Sequence, residues 1–187
     1  MASKNVFKRR RVELAQVTSW ALIIYLFFYQ RIEIAAPTEL KGMLGLALVI
    51  LGILVRALSA GYLSKNRALA SSGLYALTRN PLYFGSFLML VGVNIIIWNE
   101  LFAAVTIALF ALTYVPTILG EEKHLAKVFP DSWDAFKAQT PRFFPAFWRL
   151  RAYAEIEWSV AQWKKNREYN AILAFVALFL CWLWYSN

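Results

Sequence analysis

The sequence predicts an all-α, polytopic membrane protein of about five transmembrane helices with a cytoplasmic C-terminal amphipathic segment. Three observations carry that prediction. Hydrophobic residues make up 60 % of the 187, and the mean hydropathy is +0.49; a soluble domain of this size would have a largely apolar surface. The apolar residues fall into separate runs of near membrane-crossing length. The basic residues fall between those runs and concentrate on alternate connections, as the positive-inside pattern requires. This length allows one domain.

The basic start Met1–Arg11 carries Lys4, Lys8, Arg9, Arg10 and Arg11. The apolar stretch that follows is too long for a signal peptide, and no small-residue cleavage site closes it. Residues of about Leu14 to Ala36, with Trp20, Tyr25 and Tyr29 along them, are therefore expected as a first membrane helix. A second run, Gly42–Leu63, is interrupted only by Arg56. The third, Leu82–Trp98, and the fourth, Leu101–Leu119 with Pro116 near its end, are separated by Asn99 and Glu100 alone, which predicts a tight antiparallel hairpin. The fifth, Ala171–Tyr185, is rich in Trp and Phe but falls short of the roughly 20 residues a span needs. It is expected as a last membrane helix, with a position in the interface as the alternative.

Charge sets the orientation. With Met1 cytoplasmic, the N-terminus, the loop Ser64–Asn80 and the segment Gly120–Tyr169 share one side and hold 17 of the 20 Lys and Arg residues. Only Arg31 and Lys41 fall on the other side. The net charge of +9 therefore points to an anionic leaflet and not to nucleic acid. Cys181 is the single cysteine and lies in an apolar run, so neither an internal disulfide nor a cysteine-built metal site is expected.

Two polar segments then face the same water, Ser64–Phe84 entering the third run and Gly120–Pro145 leaving the fourth. The hairpin must bring them together, and a site built from both is the simplest functional inference. In the first, Gly73 permits a turn with positive φ, Asn80 suits an N-cap and Pro81 suits the first helical turn. Free N–H groups at such a helix start serve structure alone or hold an anion. In the second, Leu125, Val128, Phe129, Trp133 and Phe136 recur at helical spacing, as in an amphipathic stretch against the membrane surface. Glu121 sits where the fourth helix leaves the bilayer, a costly place for an idle carboxylate. Glu122, Lys123 and His124 read as a solvated helical face.

The first segment reads GLYALTRNPLYFG over 73–85; the second contains EEKHL over 121–125 and PRFFP over 141–145. Together they resemble the isoprenylcysteine carboxyl methyltransferase family and the related phospholipid N-methyltransferases, whose pattern is G-x-Y-x-x-x-R-H-P-x-Y-x-G, a hydrophobic hairpin, E-E-x-x-L and a P-R-F-x-P ending. The resemblance implies a single membrane methyltransferase domain over 1–187, with its core at 62–145 and a C-terminal extension at 146–187 that holds the last membrane helix. It implies S-adenosylmethionine as cofactor. By position, it puts that cofactor against Arg67, Ala68, Leu69, Ala70, Tyr75, Asn80, Pro81, Leu82 and Tyr83, with Glu121 closing the other side. A carboxylate suits the cofactor's ammonium, and aromatic faces suit its cation. Arg142 is the candidate for an anionic group of substrate or cofactor, with a pair to Asp131 or a lipid phosphate as its plainer role. No metal is implied.

Two positions depart from the family. Asn80 stands where the family has histidine, and asparagine does not titrate, so position 80 supplies no general base. Thr117 stands where members acting on prenylcysteine carry an arginine four residues before the first glutamate. The implied activity is methyl transfer to a carboxylate or amine of a lipid-like or prenylated substrate at the cytoplasmic face, with prenylcysteine disfavoured. Methyl transfer mainly needs alignment in a water-poor site, and the sequence offers no evident acid–base dyad for hydrolysis. The competing readings are an NADPH-dependent membrane reductase of the sterol-reductase type, which RNPLYFG also resembles, and a non-catalytic membrane scaffold.

Overall fold

A computed structural model describes residues 34–63, 69–149 and 158–186, together with Ala21 and Tyr25. Among them the chain forms seven α-helices and no strand: α1 (Leu40–Tyr62), α2 (Leu74–Leu77), α3 (Pro81–Ile97), α4 (Glu100–Val128), α5 (Pro130–Gln139), α6 (Val160–Lys165) and α7 (Tyr169–Ser186). The all-helical expectation holds. The count of spans is narrower than expected: α1 and α4 are long and apolar enough to cross a bilayer, whereas α3 and α7 are apolar but shorter. At 17 residues, α3 is about 26 Å long against a hydrocarbon core of about 30 Å. The expected first span lies outside the described residues except for Ala21, Tyr25 and Ile34–Ala36, and the last three are not helical.

The outer surface is apolar. Leu40, Leu54, Leu112, Leu173 and Leu178 are all more than half exposed, while Ser59 and Thr106 are buried. Water does not tolerate that distribution over whole helix faces, but lipid does.

Small residues make the closest packing, which joins α1 to α3. A Cβ on Gly52 would lie 2.5 Å from the Gly85 carbonyl oxygen, and one on Gly92 would lie 2.5 Å from that of Gly45. Backbone therefore meets backbone at two glycine pairs one heptad apart, as in membrane helix pairs that dispense with side chains at the contact. The α3–α4 hairpin turns as expected: Trp98 is left-handed at φ 44°, and Asn99 caps α4 by accepting from the Phe102 N–H (2.9 Å). Thr106 and Asn94 bond across it (3.2 Å). Away from the turn, the seam is aromatic. Tyr83 meets Tyr114, Phe87 meets Phe110, and Phe143 packs on both Phe87 and Phe110.

α4 does not stop at Leu119. It runs through Pro116 for 29 residues, about 43 Å against a hydrocarbon core of about 30 Å, and so carries Glu121 and Glu122 beyond its apolar part on a rigid helix. The expected amphipathic stretch is consequently split: Leu125 and Val128 belong to α4, the chain breaks at Phe129, and Trp133 and Phe136 belong to α5. At the other end of the chain, α7 lies along α1 and not across its end. Glu168, just before α7, reaches Arg56, while Trp182 Nε1 donates to the Ala35 carbonyl ahead of α1 (3.1 Å).

Candidate functional site

The site begins at Gly73, whose φ of 59° and contact with the Tyr62 ring leave no room for a side chain. One turn of α2 follows, and then Thr78–Asn80 lead into α3. This short connection runs beside the PRFFP segment and is bonded to it throughout. Ala146 N–H donates to Leu77 O (2.9 Å) and Arg79 N–H to Pro141 O (2.9 Å). The buried Thr78 hydroxyl donates to Phe143 O (2.9 Å), and Asn80 Nδ2 donates to Arg142 O (2.9 Å). The two polar segments thus meet, as the hairpin argument expects. Asn80 occupies the N-cap position but makes no side-chain cap, because its carboxamide faces Arg142 and Glu122 instead. Tyr83 and Phe84 N–H groups both donate to Asn80 O (3.1 Å). With Pro81 lacking an N–H, the Leu82 N–H is the remaining donor of that turn.

Glu122 holds the assembly together. It is 8 % exposed, lies 3.1 Å from Arg79 Nη1 and accepts from Arg142 Nε (3.1 Å) while also pairing with Arg142 Nη2 (3.1 Å). One carboxylate on α4 therefore serves an arginine from each motif segment. The solvated role expected for Glu122 does not hold, and Arg142 pairs with Glu122 and not with Asp131. Ile118, one turn earlier, is also buried, so the inward face of α4 continues through residue 122. Arg79 stacks toward Trp133 (5.9 Å), and its Nε is buried without a hydrogen-bond partner. Burial pulls its guanidinium down from the usual range, Glu122 opposes that, and Arg142 adds to it.

Glu121 points elsewhere. It is exposed and accepts a 2.7 Å hydrogen bond from the Tyr83 hydroxyl. Tyr75 is buried. Burial pushes its hydroxyl well above the ordinary phenol range, the Glu121 and Glu168 carboxylates push the same way, and Arg56 opposes. Tyr83 and Glu121 are thus bonded to each other, Tyr75 feels the Glu121 charge, and Pro81 is fully buried beneath the turn. Leu69 and Ala70 are half-buried just before Gly73; Arg67 and Ala68 lie outside the described residues. Thr117 Oγ1 donates to Thr113 O within α4 (2.7 Å). Among the described residues, no group of three or more His, Cys, Asp or Glu side chains could hold a metal ion.

Sequence reasoning missed three participants. Arg79 and Thr78 lie within the motif, where nothing local signals their role. Arg56 reads in the sequence as an interruption of its apolar run, yet it pairs with Glu168.

Residues 40–132, from α1 into α5, match the phospholipid methyltransferase family. The chain is also 35 % identical over 166 residues to the cobalt-zinc-cadmium resistance protein CzcN of Cupriavidus metallidurans, covering 85 % of this chain and 74 % of that protein. It is 32 % identical over 135 residues to the nickel-cobalt-cadmium resistance protein NccN of Alcaligenes xylosoxydans xylosoxydans, covering 71 % and 62 % respectively.

Proposed function

Because the chain belongs to the phospholipid methyltransferase family, a family of membrane methyltransferases, we propose that it transfers a methyl group from S-adenosylmethionine to a lipid-like substrate at the cytoplasmic membrane face. The observation that carries this reading is the Arg79–Glu122–Arg142 junction. It fastens the two motif segments to each other and leaves Glu121, Tyr75 and Tyr83 together beside it.

Those residues suit the cofactor. The Glu121 carboxylate is accessible, fixed by Tyr83 and free to pair with an ammonium; two tyrosine rings offer faces to a cation. The Leu82 N–H and the half-exposed Arg142 side chain offer donors to an anionic group. S-adenosylmethionine, when bound, supplies a methyl group activated by its sulfonium. The chain's own part is alignment and exclusion of water. Burial holds the Tyr75 hydroxyl above the ordinary phenol range, and the aromatic seam between α3 and α4 walls off the membrane side. Asn80 takes no proton, so an amine acceptor must lose its proton to solvent or to a neighbouring carboxylate, and a carboxylate acceptor needs no base. From the relatives' names we carry over a setting only: methylation of a membrane component in cells resistant to cobalt, zinc, nickel or cadmium. Mass spectrometry of lipids from cells with and without the protein is expected to reveal a species heavier by about 14 Da, the mass of one added CH₂. Identical lipid profiles under metal stress would count against a lipid acceptor.

We further infer a multi-pass topology with the N-terminus and the Gly120–Tyr169 segment cytoplasmic, from the distribution of basic residues and from the way α7 lies along α1. In a Cys181→Ser background, Ser3→Cys and Ser132→Cys are expected to react with an impermeant thiol reagent from the same side. Reaction from opposite sides would remove the shared face on which the site depends.

A further inference from the structure

Arg56 lies well inside α1, and an ionised side chain within a membrane helix is costly unless it has a partner. Its partner comes from 112 residues along the chain. Arg56 Nε and Nη2 donate to both oxygens of Glu168, in the turn before α7, at 2.9–3.1 Å. This is the bidentate arrangement that fixes geometry as well as charge. The remaining nitrogen, Nη1, reaches α3: it donates to the Ser86 hydroxyl (2.6 Å) and toward the Leu82 carbonyl (3.4 Å). Glu168 is thus connected through Arg56 to the opening turns of the helix that carries Tyr83.

A second set of contacts fixes the same segment. The last carbonyls of a helix have no partner within it, and the last turn of α1 holds no basic residue. Here Ser159 N–H donates to Gly61 O (3.2 Å), Asn166 Nδ2 donates to Ala60 O (2.8 Å) and Leu63 O (3.1 Å), and Gln162 Nε2 also donates to Leu63 O. The Trp158 ring lies where a side chain on Gly61 would go. Residues 158–168 therefore cap α1 just where the chain enters the loop that leads to Gly73. The Glu168 carboxylate, like that of Glu121, also pushes the Tyr75 hydroxyl up.

Stability alone does not call for an ion pair at this place. Well-packed hydrophobic residues often replace a buried pair without loss, whereas removing one partner is strongly destabilising. The pair differs from a hydrophobic contact in joining three elements at fixed distances. We propose that segment 158–168 is a positioning element of the site, with Glu168 acting through Arg56 to hold the opening turns of α3, and with them Tyr83 and Glu121, in the arrangement that meets the cofactor. This rests on the methyl-transfer reading above.

The test compares wild type with the Arg56→Met/Glu168→Met double variant in nanodiscs. The double variant is expected to melt like wild type, to bind S-adenosylmethionine about tenfold more weakly, and to exchange the amide hydrogens of Leu82–Ser86 faster, with exchange around Phe102 unchanged. Glu168→Ala, which strands Arg56, is expected to lower the melting temperature as well. A double variant that binds as tightly as wild type, or that exchanges Leu82–Ser86 at the wild-type rate, overturns the proposal. If wild type itself does not bind S-adenosylmethionine, the methyl-transfer reading fails, and the exchange rates alone decide whether the positioning link exists.

Discussion

Glu122→Ala is expected to cost about 3–5 kcal/mol of stability, the usual consequence of stranding a buried charge. The stranded group is Arg79, whose side chain is 9 % exposed and whose Nε already lacks a hydrogen-bond partner. Without the carboxylate, two guanidiniums face each other across the junction of the motif segments. Arg142→Ala is expected to cost less, since that side chain is half exposed and Glu122 would keep Arg79. A thermal melt of the three proteins in one detergent checks the order. A Glu122→Ala protein that melts with wild type would show that the junction does not hold the segments together.

Glu121→Gln is expected to leave the melt unchanged while weakening S-adenosylmethionine binding by about 10- to 150-fold, equivalent to losing a charge-assisted hydrogen bond of about 1.5–3 kcal/mol. Glutamine can still accept from the Tyr83 hydroxyl, so the substitution removes charge and little else. The carboxylate is exposed, so no buried partner is stranded. Titration calorimetry on folded variant and wild type gives the ratio directly. Unchanged affinity would take Glu121 out of the site, and a fall in melting temperature equal to that of Glu122→Ala would give it a structural role instead.

The contrast between these neighbouring glutamates shows what the sequence makes legible. Both lie on α4 about 100° apart, so one turning inward obliges the other to turn away. Which one does so depends on the phase of a helix that continues beyond its apolar run and past Pro116. The meeting of GLYALTRNP with PRFFP was legible, because a two-residue connection between apolar runs forces their outer ends together. The glycine pairs Gly45–Gly92 and Gly52–Gly85 were not, since glycine in an apolar run reads as a weak helix former until its partner is known. The Arg56–Glu168 pair was also hidden. Its members are 112 residues apart, and neither belongs to a motif. Local chemistry favours a cap at Asn80, but tertiary contacts with Arg142 and Glu122 prevail.

On the methyl-transfer reading, Glu121, Tyr75 and Tyr83 form a site for S-adenosylmethionine. The most direct measurement is a calorimetric titration of the wild-type protein in nanodiscs with S-adenosylmethionine and, separately, with NADPH. Micromolar binding of S-adenosylmethionine with much weaker binding of NADPH is the predicted result. Binding of NADPH without S-adenosylmethionine would contradict the account and favour a reductase built on RNPLYFG, and binding of neither would leave a scaffold without this chemistry.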